Sequence, residues 1–365
     1  MDRGRNTYID LMRAAAICPV LLLHWVNSHL TRVGSSIVDR AYSSLASHGA
    51  NGVLLFFVIS GFVITRAAMA REPDLFGLSF RTFYARRFAR IYPLLIAVCI
   101  IGIGLLTFSG SPTPLREFIV RNRAAVFDAT FWVSIVTFTF NFWRTANLHI
   151  ASGWGLHWDV MWSLAVEEQF YAAFPLLLSL SKNRSRLFLV LLAIILLSAG
   201  YRLSYGWNQP LYDSLVCFEL IAVGVLSAVF APKIPRLARI PLAMFGSIML
   251  SAGFLMPKRM LLSLFVNEFT AIGAGVLLCC AISAEKNRSI PLILPIAFIG
   301  ELSYGMYLLH PMVLYAVGET ISVFGHIIGY FSFVAATTAI AALSYRYYEK
   351  PSERFVRRSL TEAPL

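Results

Sequence analysis

Apolar residues dominate ten stretches of this chain, at about 8–28, 50–69, 91–109, 160–180, 187–205, 212–231, 240–256, 261–283, 302–324 and 327–347. Each approaches the ~20 residues that a helix needs to cross a bilayer core at about 1.5 Å per residue. A membrane β-barrel would instead need alternating segments of about ten residues, and the long runs do not alternate. The pattern predicts an all-α, polytopic integral membrane protein of about ten transmembrane helices, forming one domain over 1–365. The aromatic run from Phe131 to Trp143 is ambiguous, fitting an eleventh span, a re-entrant segment or an interfacial helix.

Composition agrees. Of 365 residues, 58% are hydrophobic and 14% charged, against about 25% charged in soluble domains; the mean hydropathy is +0.69. The net charge of +12 lies in residues flanking apolar runs, so it implies topology signals and anionic-lipid contacts and no nucleic-acid partner. With a cytoplasmic N-terminus, the inner loops carry 21 Lys/Arg and the outer loops 9, Arg13 lying within a span. Counting 131–143 as a span would place Lys182, Arg184, Arg186 and the basic C-terminus outside, against the positive-inside bias. Both termini are therefore expected in the cytoplasm, with 65–90 as a basic cytoplasmic loop. Residues 110–158 are expected to form an outer loop with an embedded aromatic element. The first segment starts with Arg3 and Arg5, lacks a small-residue cleavage site and carries Arg13, so it reads as a retained anchor. Cys18, Cys99, Cys217, Cys279 and Cys280 lie in or beside apolar runs without metal-ligand spacing, and no metal is expected.

Four groups of polar residues interrupt this background. Arg13 and His24 lie eleven residues apart in the first span, which puts them on one helix face roughly 16 Å apart. Ionisable groups at such depth usually mark a pathway or a reaction centre. Asp10, three residues before Arg13, offers a structural ion pair; His24 has no such local partner. Arg87 and Arg90 share a helix face in the most basic inner segment, where guanidinium forks suit phosphates and equally serve as a topological stop signal. Glu167 and Glu168 stand together in the fourth span. One of them could orient a histidine or bind an acceptor hydroxyl, with Tyr171 on the side of Glu167, or the two could belong to an interhelical network. Ser303, Tyr307 and His310 form one stripe at i, i+4 and i+7, with Pro311 next to a histidine that reads first as a packing or gating residue.

Five collinear blocks resemble the membrane-bound acyltransferase-3 family. They are Asp10-x-x-Arg13 with ten residues to His24, Phe56-Phe-Val-Ile-Ser60-Gly61-Phe62, Arg87-x-x-Arg90-Ile-x-Pro93, Trp162-Ser-Leu-Ala-Val-Glu167-Glu168-Gln-Phe-Tyr171, and Ser303-Tyr-Gly-x-Tyr307-Leu-x-His310. The resemblance spans 8 to about 350. It implies a ten-span enzyme of the bacterial cytoplasmic (inner) membrane that moves an acyl group, usually acetyl, from cytoplasmic acyl-CoA. The acceptor is a hydroxyl of a glycan or lipid-linked sugar at the outer face. Acyl-CoA would be a substrate, with no permanently bound cofactor. The resemblance also implies that His24 is central to catalysis, that Arg13, Arg87 and Arg90 serve the donor, and that Glu167 belongs to the site; Glu168, Tyr171, Ser303, Tyr307 and His310 are candidate support residues. Two departures stand out. His157 precedes Trp162 by five residues instead of directly, so it inherits no role. The chain also stops soon after its last span, where some members carry a hydrolase-like domain, so a separate extracytoplasmic partner is an open expectation. The rival reading is a lipid-linked-sugar flippase or another secondary transporter. Such proteins often show paired broken helices in internal repeats, and this sequence shows none.

Overall fold

The computed structural model describes residues 6–28, 37–72, 74–108, 128–147, 159–256, 260–284 and 293–361, and among them there is no strand. Each of the ten apolar stretches coincides with a helix. In chain order the helices are α1 (Thr7–Asn27), α2 (Ile37–Ser47), α3 (Asn51–Met69), α4 (Phe80–Phe108), α5 (Ala129–Val136), α6 (Phe140–Ala146), α7 (Met161–Ser181) and α8 (Arg184–Ser204). There follow α9 (Ser214–Val229), α10 (Arg236–Leu255), α11 (Val266–Ser283), α12 (Leu294–Glu301), α13 (Ser303–Ser322), α14 (Gly325–Ser344) and α15 (Lys350–Thr361).

Seven helical runs among the described residues are long and apolar enough to cross a membrane, and the protein is a polytopic helical membrane protein. The helices α7 and α13 are not among the seven despite lengths of 21 and 20 residues. They carry the adjacent carboxylates and His310, so the polar residues that lower their hydropathy are the candidate chemistry itself.

Residues 131–143 do not form one continuous helix. Helices α5 and α6 hold only 8 and 7 residues, too few to cross a bilayer core. The chain breaks between them at Phe138, whose φ is +53°. The N-cap of α5 is Asp128, which accepts the Thr130 backbone N–H at 2.8 Å and the Thr130 hydroxyl at 2.6 Å. The basic segment 65–90 is mostly helix instead of loop. Arg66 lies in the last turn of α3, and Arg81, Arg86, Arg87 and Arg90 lie in the first half of α4. Hydropathy stops at the arginines, but helical periodicity continues through them: Phe83, Ala85, Ala89 and Ile91 are buried.

The chain forms two compact units. The first comprises Met1–Leu23, Val33–Leu78 and Ala173–Ser303. In it α3 packs along α9, and α10 along α11. The contact between α3 and α9 is backbone-close: a side chain at Gly61 would strike the Ile221 carbonyl, and one at Gly224 the Val58 carbonyl. Fully buried Arg202 of α8 donates from Nε to Glu219 of α9 at 2.8 Å and from Nη2 to Glu268 of α11, joining three helices by charge. Asn267 also donates to Glu219.

The second unit comprises His24–Arg32, Ser79–Ala172 and Tyr304–Leu365. Tyr304 and Tyr348 donate their hydroxyls to the α4 carbonyls of Ile91 at 3.0 Å and Pro93 at 2.9 Å, and Tyr84 of α4 donates to the Ala172 carbonyl of α7 at 2.6 Å. Tyr348 stands in a π-helical turn, Tyr345–Glu349, that joins α14 to α15, and α15 packs back on α4.

Candidate active site

Eight of the ten singled-out residues belong to the second unit: His24, Arg87, Arg90, Glu167, Glu168, Tyr171, Tyr307 and His310. His24 lies in the last turn of α1. Its ring meets His310 of α13 edge-on, with centroids 4.8 Å apart and planes at 62°. The pairing was not readable in advance, because His24 has no local partner and His310 follows in the chain nearly three hundred residues later. His24 keeps intermediate exposure, whereas His310 has none. The His310 Nδ1 lies 3.1 Å from the Met306 carbonyl, and its Nε2 is buried without a hydrogen-bond partner.

Aromatic groups wall the pair. Trp25, wholly buried, stacks on Phe333 of α14 at 5.7 Å and donates from Nε1 to the His326 carbonyl at 3.0 Å. Phe333 and Tyr307 lie 6.5 and 5.9 Å from the His310 ring. The Tyr307 hydroxyl shares a 2.6 Å hydrogen bond with Ser163 of α7 and donates to the Val160 carbonyl at 3.3 Å.

The carboxylate whose field reaches His24 is Asp159, a residue to which the sequence reading gave no role. Asp159 pairs with Arg144 of α6. In the same region Gln169 of α7 donates to the Phe138 carbonyl at 2.7 Å and to Asn141 at 2.9 Å, so the broken aromatic element is fastened to the helix that carries both glutamates. The only advance signal for Arg144 and Asp159 was opposite charge near an aromatic segment, fifteen residues apart and outside helical spacing.

The carboxylate pair divides its work. Glu168 accepts from Arg87 Nη2 at 2.9 Å, and the Arg87 guanidinium lies 3.8 Å over the Tyr171 ring. The Tyr171 hydroxyl donates to Glu167 Oε2 at 3.3 Å. Arg87, Glu168, Tyr171 and Glu167 thus form one chain of contacts between α4 and α7. Arg90 shares the expected face only loosely: it is exposed, while Arg87 turns to the protein interior. The charge of Arg90 acts on Glu168 and on Glu349.

The structure does not bring all ten together. Arg13 belongs to the first unit and donates to Asp10 at 2.9 Å, the i,i+3 pair anticipated from sequence. Ser303, buried at the start of α13, closes that unit. His157 lies outside the described residues. Among the described residues no group of His, Cys, Asp and Glu could hold a metal ion.

A histidine pair, an arginine–carboxylate–tyrosine chain and a second carboxylate, set in the helices of a polytopic membrane protein, are groups suited to proton transfer in a membrane-embedded enzyme, and the class of that enzyme comes from the family. The chain belongs to the acyltransferase-3 family, whose profile, described as "Acyltransferase domain", matches residues 6–346. It is 28% identical over 375 residues to the peptidoglycan O-acetyltransferase OatA of Listeria monocytogenes, covering 94% of this chain and 55% of that protein. It is 24% identical over 372 residues to nodulation protein 10 of Rhizobium leguminosarum bv. viciae, covering 98% and 95% of the two chains. The chain thus spans little more than half the length of the first relative and nearly all of the second. No solved structure matches it.

Proposed function

We propose that this protein is a membrane O-acetyltransferase that takes the acyl group of cytoplasmic acyl-CoA and places it on a hydroxyl of a glycan or lipid-linked sugar at the outer face of a bacterial cytoplasmic membrane. The observation that carries the reading is His24. It is the partly open member of a histidine pair, in a chain of the acyltransferase-3 family. The name of the Listeria relative supports a saccharide acceptor.

Neutral His24 draws the proton from the acceptor hydroxyl as its oxygen attacks the thioester carbonyl. The carbon–sulfur bond breaks, the thiolate leaves, and the proton passes from His24 to sulfur, so ester and free thiol are the products. A route in which His24 nitrogen first takes the acyl group gives the same products. Arg90, exposed on α4, is the guanidinium open to the donor phosphates, and Arg87 fixes α7 to α4 through Glu168. The ten-span arrangement with both termini inside and 110–158 outside rests on the 21-to-9 split of basic residues, and the shortness of α5 and α6 supports it.

Purified protein in nanodiscs should turn over acetyl-CoA in the presence of a peptidoglycan oligosaccharide. His24→Ala should lower product formation by about 10² to 10⁴, the loss typical of a removed general base. The same variant should keep the wild-type thermal unfolding profile. Near-normal turnover by a well-folded His24→Ala protein would remove His24 from the reaction.

A further inference from the structure

We infer that His310 is a positioning residue for His24, acting through its Nε2 as the hydrogen-bond acceptor that holds the His24 ring and receives its N–H once the other His24 nitrogen takes a proton. This rests on the assignment of His24 above and gives a task to a residue that reads from sequence as packing.

The tautomer follows from one contact. The Nδ1 of His310 lies 3.1 Å from the Met306 carbonyl. A carbonyl only accepts, so Nδ1 carries the hydrogen, and in the neutral ring Nε2 is a bare lone pair. That lone pair is buried, without a hydrogen-bond partner. A buried polar atom left unmatched is costly, so its retention calls for a use. Pro311 reinforces the arrangement, since it withdraws the helical N–H that would otherwise bond the Tyr307 carbonyl, on the same turn.

The distance fits the task. An imidazole nitrogen lies roughly 1.2 Å from its ring centre, and an N–H···N bond spans about 2.9 Å, so two bonded rings have centres about 5 Å apart. The His24 and His310 centroids are already 4.8 Å apart. Because the ring separation already matches that of a bonded pair, this role needs ring rotation and no approach of the two helices. His310 is fully buried, whereas His24 is partly open, so in this proposal His24 takes the contact with substrate and His310 the contact with His24. The stacked Trp25 and Phe333 limit where both rings can go. When His24 takes the hydroxyl proton it becomes an imidazolium, and its second N–H then faces an acceptor in place of an empty apolar wall. No atom is exchanged with His310; the proton that His24 gains leaves again with the thiolate.

Two variants separate this role from packing. His310→Phe keeps the ring volume and the edge contact with His24 but has no lone pair. His310→Gln loses the ring but puts an acceptor oxygen near the Nε2 position. A hydrogen-bonding role predicts that His310→Phe lowers kcat about 10- to 100-fold, as for other partners that orient an acting histidine. It also predicts that His310→Gln retains several-fold more activity than His310→Phe, and that KM for acetyl-CoA stays within about twofold in both. Equal activity, or a more active Phe variant, overturns the inference. His24→Ala is measured alongside. If it is inactive while His310→Phe matches wild type, only the present inference fails; if it is active, the assignment of His24 fails first. Should the His310 variants not accumulate, 15N NMR of native protein with labelled histidine reads the tautomer directly. A ring protonated at Nδ1 and bare at Nε2 is expected, and its absence from the spectrum overturns the proposal.

Discussion

Arg87 and Arg90 are separated by one helical turn, yet the protein treats them differently. Arg87 is spent on Glu168 and on the face of Tyr171; Arg90 is exposed. Removing one partner of a partly buried pair leaves the other charge uncompensated, which costs about 3 kcal/mol. Arg87→Ala should therefore lower thermal stability in detergent clearly. The double variant Arg87→Ala with Glu168→Ala should regain part of that loss, which a double-mutant cycle will read. Arg90→Ala should leave stability near wild type and raise KM for acetyl-CoA. Spacing alone gave the shared face but not the direction in which that face points, since direction depends on where α7 packs. Likewise, His24 and His310 each stood out as polar residues in apolar helices, while their meeting depends on tertiary packing and had no local signature. Asp10 with Arg13 was legible because both partners lie on one turn of one helix.

Helix positions followed well from apolar runs, and helix ends did not. The break at Phe138 uses a positive φ at a residue that gives no turn signal, and Lys182 does the same, at +59°, to end α7 just before the Asn183 cap of α8. The length of α4 was missed because charge, and not loss of periodicity, marked the expected boundary. The glycines of α3 and α9 act at this level. A methyl group at Gly224 would run into the Val58 carbonyl and the Phe62 nitrogen, so Gly224→Ala should force the two helices apart and destabilise by about 1–3 kcal/mol. Gly200→Ala in α8 meets nothing within 4 Å and should be neutral or stabilise by up to about 1 kcal/mol. Thermal unfolding of the two variants side by side checks both signs.

The proposed transfer crosses a bilayer, which makes orientation part of its chemistry. In a cysteine-free background, Ser111→Cys should react with an impermeant thiol reagent on intact cells and Ser185→Cys should not. Reaction of Ser185→Cys from outside would reverse the orientation of every later span. The apolar pattern made the membrane class legible from the first residues, and the basic loops carry the expected direction, which the labelling above tests. The most direct test uses sealed vesicles in which Ser185→Cys is accessible from the bathing solution, with a peptidoglycan oligosaccharide enclosed in the lumen. Acetyl-labelled acetyl-CoA is then added outside only. The account predicts label as an ester on the enclosed oligosaccharide with His24 present, and none above background with His24→Ala. Label confined to saccharide on the donor side, or equal luminal label with His24→Ala, would contradict transfer across the membrane by His24.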